Sequence, residues 1–260
     1  MAENQDVGIQ GQDSGEGSFR DRRARLSARP NARNQIYGEK GPTNILNPLW
    51  ETGGLMWPYT PIISDNATVN YESYDPVHTN QPFMAFRSVA AKDIMCSGLF
   101  TAQNQQEAVY CIAAIHFLRT ITKMYFGIGG DDEQAKAARG TPPPILLFNA
   151  HGTAMFHNVP VVVTSYSIEL PQDVDYVEIR APIEQATLFS QRDRLTEQRL
   201  GPDLVQLYKF YSTDGISAWV PSRFNVTVNM TVQNSPNRLR RNFNLNDFRT
   251  GRLIKRGGWI

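Results

Sequence analysis

His151 and His157 stand six residues apart around Gly152–Phe156, a spacing at which two imidazoles could share a metal ion. A zinc site takes four ligands, or three and a water. No cysteine or carboxylate falls inside this turn, so the pair is expected to hold no metal. Asp131-Asp132-Glu133 could suggest a cation loop, but a calcium loop needs acids at alternating positions and a late glutamate. The run reads instead as a solvated linker. Gly127-Ile128-Gly129-Gly130 follows a helical pattern rather than opening one, the wrong side for a phosphate cradle. Ser165 and Ser167 sit in a strand-like run without the sharp elbow that exposes a hydrolase nucleophile. His116 is expected as a half-buried packing residue on a helix, and His78 follows Asp75-Pro76 in a turn. Cys96 and Cys111 fall on apolar positions and read as buried free thiols rather than a disulfide. The chain is therefore read as non-enzymatic, with no cofactor.

The elements that must position any site are sheet-forming. Pro142-Pro143-Pro144 opens the apolar run Ile145–Phe148, a small polar turn covers Asn149–Thr153, and Val159–Leu170 follows, closing at Pro171–Tyr176. Ala67–Tyr74 and Phe86–Ala102 are two further strands. In the second, Ile94, Cys96, Gly98 and Phe100 share one face at a period of two. The clearest strand is Arg223–Asn234, where Phe224, Val226, Val228, Met230 and Val232 alternate with Asn225, Thr227, Asn229, Thr231 and Gln233. That pattern predicts one buried face and one uncharged face of hydroxyls and amides. Between the strands, Gln105–Gly127 predicts a helix about 34 Å long. Asn104 with Glu107 three residues on supplies its N-cap, Cys111, Ile115, Leu118, Thr122 and Tyr125 its apolar stripe, and glycines its stop. The fold class is mainly β (α+β): two packed antiparallel sheets as a sandwich or barrel, one long flanking helix, and extended terminal arms.

Apolar residues make up 41% of the 260 and charged residues 20%, ordinary values for a globular chain with a real core. A net charge of +1 names no partner, but its distribution is uneven. Residues 1–17 carry Glu3, Asp6, Asp13 and Glu16 and no base. Bases then gather at Arg20, Arg22, Arg23, Arg25, Arg29, Arg33 and Lys40, and again at Arg238, Arg240, Arg241, Arg249, Arg252, Lys255 and Arg256. Residues 1–45 thus read as an extended basic arm, with one short helix near Phe19–Leu26. Residues 46–237 read as the β domain, with a partly helical excursion at 180–218, and 238–260 as a basic tail. No apolar stretch is long enough to span a bilayer and no signal peptide is apparent, so the Asn66, Asn225 and Asn229 sequons carry little meaning and no membrane partner is expected.

Pro58-Tyr59-Thr60-Pro61, Val69-Asn70-Tyr71-Glu72-Ser73-Tyr74-Asp75, Lys123-Met124-Tyr125-Phe126-Gly127, the Gly140–Tyr176 block and the final strand entered through Val220-Pro221-Ser222-Arg223 resemble the tail-tube and baseplate tube-initiator proteins of contractile-tailed bacteriophages. The likeness covers residues 50–234 and lies in whole segments rather than a short motif. It implies a tube-type fold, a hexameric ring, and an inner barrel of strands from all subunits through which DNA and the tape-measure protein pass. It further implies a virion protein, assembled in the host cytoplasm, whose partners are its own copies, the adjacent tail-tube ring and the baseplate hub. The terminal arms and the 180–218 excursion depart from plain tube subunits and favour a baseplate-end initiator, because an end ring binds unlike neighbours.

On this reading Asn225, Thr227, Asn229, Thr231 and Gln233 face the channel, since a lumen that lets DNA slide avoids cation–phosphate contacts. Simple outer exposure of the same face is the plainer alternative. Arg20, Arg22, Arg23, Arg25, Arg238, Arg240, Arg241, Arg252, Lys255, Arg256 and Trp259 are expected to contact neighbouring subunits. A repeated tube subunit, or the tube protein of a related contractile injection system, fits the same residues. So does a single-stranded nucleic-acid-binding module, because Arg240-Arg241-Asn242-Phe243 and Arg256–Trp259 interleave bases with rings. Removing residues 1–40 is expected to leave the fold intact and weaken incorporation into particles.

Overall fold

The computed structural model describes residues 23–38, 40, 44–123, 140–152, 154–179, 218–237 and 244–255. In chain order these form β1 (Arg25–Ala28), a 3-10 turn (Pro30–Ala32), α1 (Arg33–Tyr37), α2 (Asn47–Thr52), β2 (Leu55–Met56), β3 (Ile62–Asn66), β4 (Val69–Tyr74), β5 (Phe83–Val89), β6 (Asp93–Thr101) and α3 (Gln105–Ile121). There follow β7 (Leu146–Ala150), β8 (Phe156–Glu169), β9 (Tyr176–Ile179), β10 (Ala218–Pro221), β11 (Arg223–Val232), α4 (Leu245–Arg249) and α5 (Arg252–Lys255). The chain is mainly β, of the α+β kind that its strand patterns imply. One antiparallel sheet of seven strands, in the order β2-β1-β7-β8-β11-β6-β3, carries the fold, and β9–β10 and β4–β5 are two-stranded ribbons.

The alternation of β11 sets the core. Phe224, Val226, Val228, Met230 and Val232 are all buried, joined on the same face by Ile94, Cys96 and Phe100 of β6. Helix α3 covers that face with Val109, Cys111, Phe117, Leu118 and Ile121, and Ile179 and Val220 of the β9–β10 ribbon enter the same cluster. The helix starts as its cap predicts. Asn104 Oδ1 accepts from Glu107 N at 2.9 Å, while Glu107 Oε2 accepts from Gln103 N at 2.8 Å.

Gly98 has a particular task in this packing. A Cβ there would lie 2.5 Å from Trp57 Cδ1 and 3.0 Å from Pro61 Cβ. The missing side chain lets the fully buried Trp57 ring lie on the sheet, edge-on to Phe100 at 6.3 Å. Phe100 in turn stacks on Phe224 at 5.6 Å. The Trp57–Pro61 segment is thereby tied to the centre of the sheet.

Five expectations change. The globular body reaches back at least to Ala24 rather than starting near Ile45: β1 is inserted between β2 and β7, with Leu26 and Ala28 fully buried. Tyr37 packs on Phe117 at 5.6 Å and its hydroxyl accepts from Ala28 N at 2.8 Å. The sequence Arg-Leu-Ser-Ala is short and basic, so its strand character comes from the partners it meets, not from its own pattern. Arg25 and Leu26 are accordingly strand, not helix, and Phe19–Arg22 lie outside the described residues. The long helix stops at Ile121, where Thr122 makes the C-cap, and the remainder of the expected span from Met124 to Gly127 is outside the described residues. His116 is exposed rather than half-buried, because Ala113, Ala114, Phe117 and Leu118 already fill the inward face. The span Phe86–Ala102 is two strands, β5 and β6, broken at Ala90-Ala91-Lys92. Most of the 180–218 excursion and the Asp131–Gly140 linker lie outside the described residues.

Gly98→Ala should cost about 1–3 kcal/mol, since neither the Trp57 ring nor the Pro61 ring can retreat without opening the core. Urea unfolding would read this as a lower midpoint at unchanged slope, and an unaltered midpoint would refute the packing role. Deletion through residue 40 should abolish cooperative unfolding altogether, because it removes β1 and Tyr37. A chain beginning at Arg23 keeps every contact described above. Burial raises the pKa of Tyr37, Tyr110, Cys96 and Cys111, the last pushed up to about 12 from an ordinary value of 9.0. Groups with a raised folded pKa stabilise fully below their unfolded values and lose that contribution as pH climbs toward the folded ones. Their contribution to stability should therefore be full up to about pH 9 and be lost progressively between about pH 9 and 12. A urea midpoint unchanged across that window would contradict the burial of these groups.

Candidate assembly surface

The other face of the sheet is polar, and the register assembles it from four strands. On β11 it presents Asn225, Thr227, Asn229 and Thr231, with Arg223 at the end. Opposite them on β6 stand Leu99, Ser97, Met95, Asp93 and Thr101 respectively. On β8, Glu169, Ser167 and Ser165 stand opposite Asn225, Thr227 and Asn229. Strand β3 adds Ile62, Ser64 and Asn66 through their pairing with Ser97, Met95 and Asp93.

These side chains satisfy one another across the strands. The Ser97 and Thr227 hydroxyls share a hydrogen bond of 2.7 Å, Asn229 Nδ2 donates to Ser165 Oγ at 2.8 Å, and Thr231 Oγ1 donates to Asp93 Oδ1 at 2.6 Å. Thr164, the extra residue where the β8–β11 register shifts, donates its hydroxyl to Asn229 O at 3.1 Å. Such cross-strand hydroxyl and amide pairs fix rotamers that would otherwise roam. The result is a stiff, largely polar surface, interrupted by Ile62, Met95 and Leu99, whose centre carries no charge, with Glu169, Asp93 and, as the one base on it among the described residues, Arg223 around its ends. Even there the balance is slightly acidic.

Four of the five residues predicted for this face are thus together in β11, and Gln233 lies just past its end, where its backbone donates to Pro160 O at 2.8 Å. Ser97, Ser165, Ser167, Asp93 and Glu169 were missed. Their signal lies in the odd positions of 93–101 and 165–169: the first run is read for its apolar even positions, and Ser165 and Ser167 as candidate nucleophiles only. Among the described residues the basic side chains do not gather. Arg25 is half-buried on β1, its Nη2 3.5 Å from Met56 Sδ. Arg23 is exposed at the start of the body, and Arg252 pairs with Asp247 at 4.0 Å in the α4–α5 turn. Arg20, Arg22, Arg238, Arg240, Arg241, Arg256 and Trp259 lie outside the described residues, as does the side chain of Lys255 in α5.

A second surface projects from the first. The β4–β5 ribbon continues the β3–β6 pair outward, joined at a neck where Ala90 donates to Thr68 O at 2.9 Å and Lys92 Nζ meets Asp65 Oδ2 at 2.7 Å. Its register puts Val69, Tyr71, Met84, Phe86 and Val89 on one face, with Tyr71 edge-on to Phe86 at 6.1 Å. All five are exposed. A two-stranded ribbon with a bare apolar face is marginal alone in water.

His151 is exposed in the β7–β8 turn at a φ of 55°, and His157 shares a 3.2 Å hydrogen bond with the Asn158 amide. Among the described residues no three His, Cys, Asp or Glu side chains gather as metal ligands, and no helix is long and apolar enough to cross a membrane. Cys96 and Cys111 are buried and unpaired with each other. No family model matches this sequence, and no characterised protein does.

Proposed function

We propose that this chain is a structural, non-catalytic subunit of a ring at the baseplate end of a contractile phage tail tube, where it initiates tube assembly and forms part of the DNA-conducting channel. The observation that carries the reading is the uncharged, internally hydrogen-bonded face of the β8-β11-β6-β3 ribbon. DNA moving past such a face meets no protein cation to displace its condensed counterions and bind it, and the acids at the rim repel phosphate. The buried opposite face holds the subunit rigid around the channel. The exposed apolar side of the β4–β5 ribbon suits contact with the adjacent ring or hub, and the tape-measure protein and DNA are the transient occupants.

Asn229→Lys tests the lumen assignment. Asn229 is solvent-touching and its loss leaves the core intact, so particles should assemble in normal number. Every copy in the ring then adds a cation to the channel, and DNA delivery should fall by about tenfold or more, with partial recovery at higher ionic strength. Unchanged delivery from particles carrying the substitution would place this face outside the channel.

A further inference from the structure

Two exposed surfaces of this chain complement each other, and neither covers the other. The first is the outer face of the β9–β10 ribbon. Its register sets Ile179 opposite Ala218, Glu178 opposite Trp219, Val177 opposite Val220 and Tyr176 opposite Pro221. Ile179 and Val220 are buried in the core, so alternation along the strands turns Tyr176, Glu178 and Trp219 away from it. Trp219 is 58% exposed and Tyr176 52%, and Leu170, at the start of the turn into β9, is exposed as well. Trp219 and Tyr176 are diagonal neighbours across the two strands, within reach of one another as a single aromatic platform. Residues 170–179 and 218–222 carry Asp173, Asp175 and Glu178 and no Lys, Arg or His. Aromatic faces beside carboxylates favour a cation, above all a guanidinium, which stacks on the rings while it pairs with the acids.

The second surface is the C-terminal pair α4–α5. Leu245, Phe248 and Arg249 stand at i, i+3 and i+4 and so share one side of α4. All three are exposed, Phe248 by 64%, and so are Arg252 and Ile254 of α5. Residues 244–255 hold Arg249, Arg252 and Lys255 against Asp247 alone, and Asp247 is buried. Leu245, Phe248 and Ile254 take no part in the core of the sheet. Helices this short are marginal alone in water and gain their stability from packing.

We propose that α4–α5 of one copy docks on the outer face of β9–β10 in a second copy, with Leu245 and Phe248 against Tyr176 and Trp219, and Arg249 and Arg252 among Asp173, Asp175 and Glu178. Two observations select a second copy of this chain. The charges on the two surfaces are opposite, and each sets its charges around bare apolar side chains, as a specific contact requires. Both surfaces also stand bare in the folded subunit, so one chain does not satisfy the two together. A nucleic acid does not suit the platform, because acids without a base repel phosphate. The contact joins unlike patches of the same molecule, so each copy gives one hook and receives one. It uses neither the polar face nor a strand border, and therefore stands whether or not that face lines a channel. Trp, Tyr and Arg are the side chains that anchor interfaces, and repetition through an assembly makes a small contact of this kind firm.

The test is photo-cross-linking of the full chain carrying p-benzoylphenylalanine in place of Tyr176, mixed with an isotope-labelled chain that lacks the probe. Mass spectrometry after irradiation should find the probe joined to labelled residues 244–255. The yield should fall about tenfold when the labelled chain carries Phe248→Ala and Arg249→Glu, two exposed positions whose change leaves the fold intact. It should also fall several-fold between about 0.1 M and 1 M salt, as the Debye length shrinks from about 10 Å to about 3 Å. Links confined to one chain, links to residues 180–217, or a yield indifferent to the substitutions and to salt would overturn the proposal. Rings seen by electron microscopy without these links would overturn it too and leave the ring reading standing. The links without rings would support the clasp and count against the ring.

Discussion

The structure depends on β11 being held between β6 and β8 with its two faces kept apart. Every second side chain of this strand goes into the core, and the intervening ones cannot follow without burying amides and hydroxyls. Leaving even one such group without a partner costs about 1–3 kcal/mol. Register is thus strongly specified, because a slip of one residue would exchange Val226 and Val228 for Thr227 and Asn229. From that constraint follow the fixed polar surface, the place where Trp57 lies over Gly98, and the pairing direction of all four strands in the ribbon.

The two margins of the large sheet are treated differently. At β2 the strand is only two residues long. Trp57 donates to Ala24 O at 3.0 Å, so Met56 turns its backbone groups away from β1. Both are taken by the Tyr110 hydroxyl of α3, which accepts from Met56 N at 2.7 Å and donates to Met56 O at 2.8 Å. That margin is closed within the subunit. The β3 margin and the lower half of β8 have no such cover among the described residues, which is how a sheet protein directs association to chosen borders and blunts the rest.

Long-period features were legible in the sequence and partner-dependent ones were not. The alternation of 223–232, the Asn104–Glu107 cap and the two inward thiols each depend on local pattern, and each stands as the residues imply. Strand β1 escaped because Arg25–Ala28 is four residues with two polar side chains, and becomes a strand only by lying between β2 and β7. The polar face was legible on β11 but not across the sheet. Ser97 and Ser165 acquire meaning only when the register places them against Thr227 and Asn229. The apolar side of β4–β5 was hidden by its bulge at Asn70/Tyr71, which brings Val89 onto the face of Phe86 against simple alternation.

The central claim is that the hydroxyl-and-amide face of the sheet lines a passage enclosed by copies of this chain. A cryo-electron microscopy map of the assembled particle tests it most directly. The account predicts a closed cylinder with density for Asn225, Thr227 and Asn229 pointing at the axis and the Phe224–Val232 side packed outward beneath α3. A map in which those three side chains lie on the outer wall, or in which the subunit stands alone with no strand continuing into its neighbour, would contradict it.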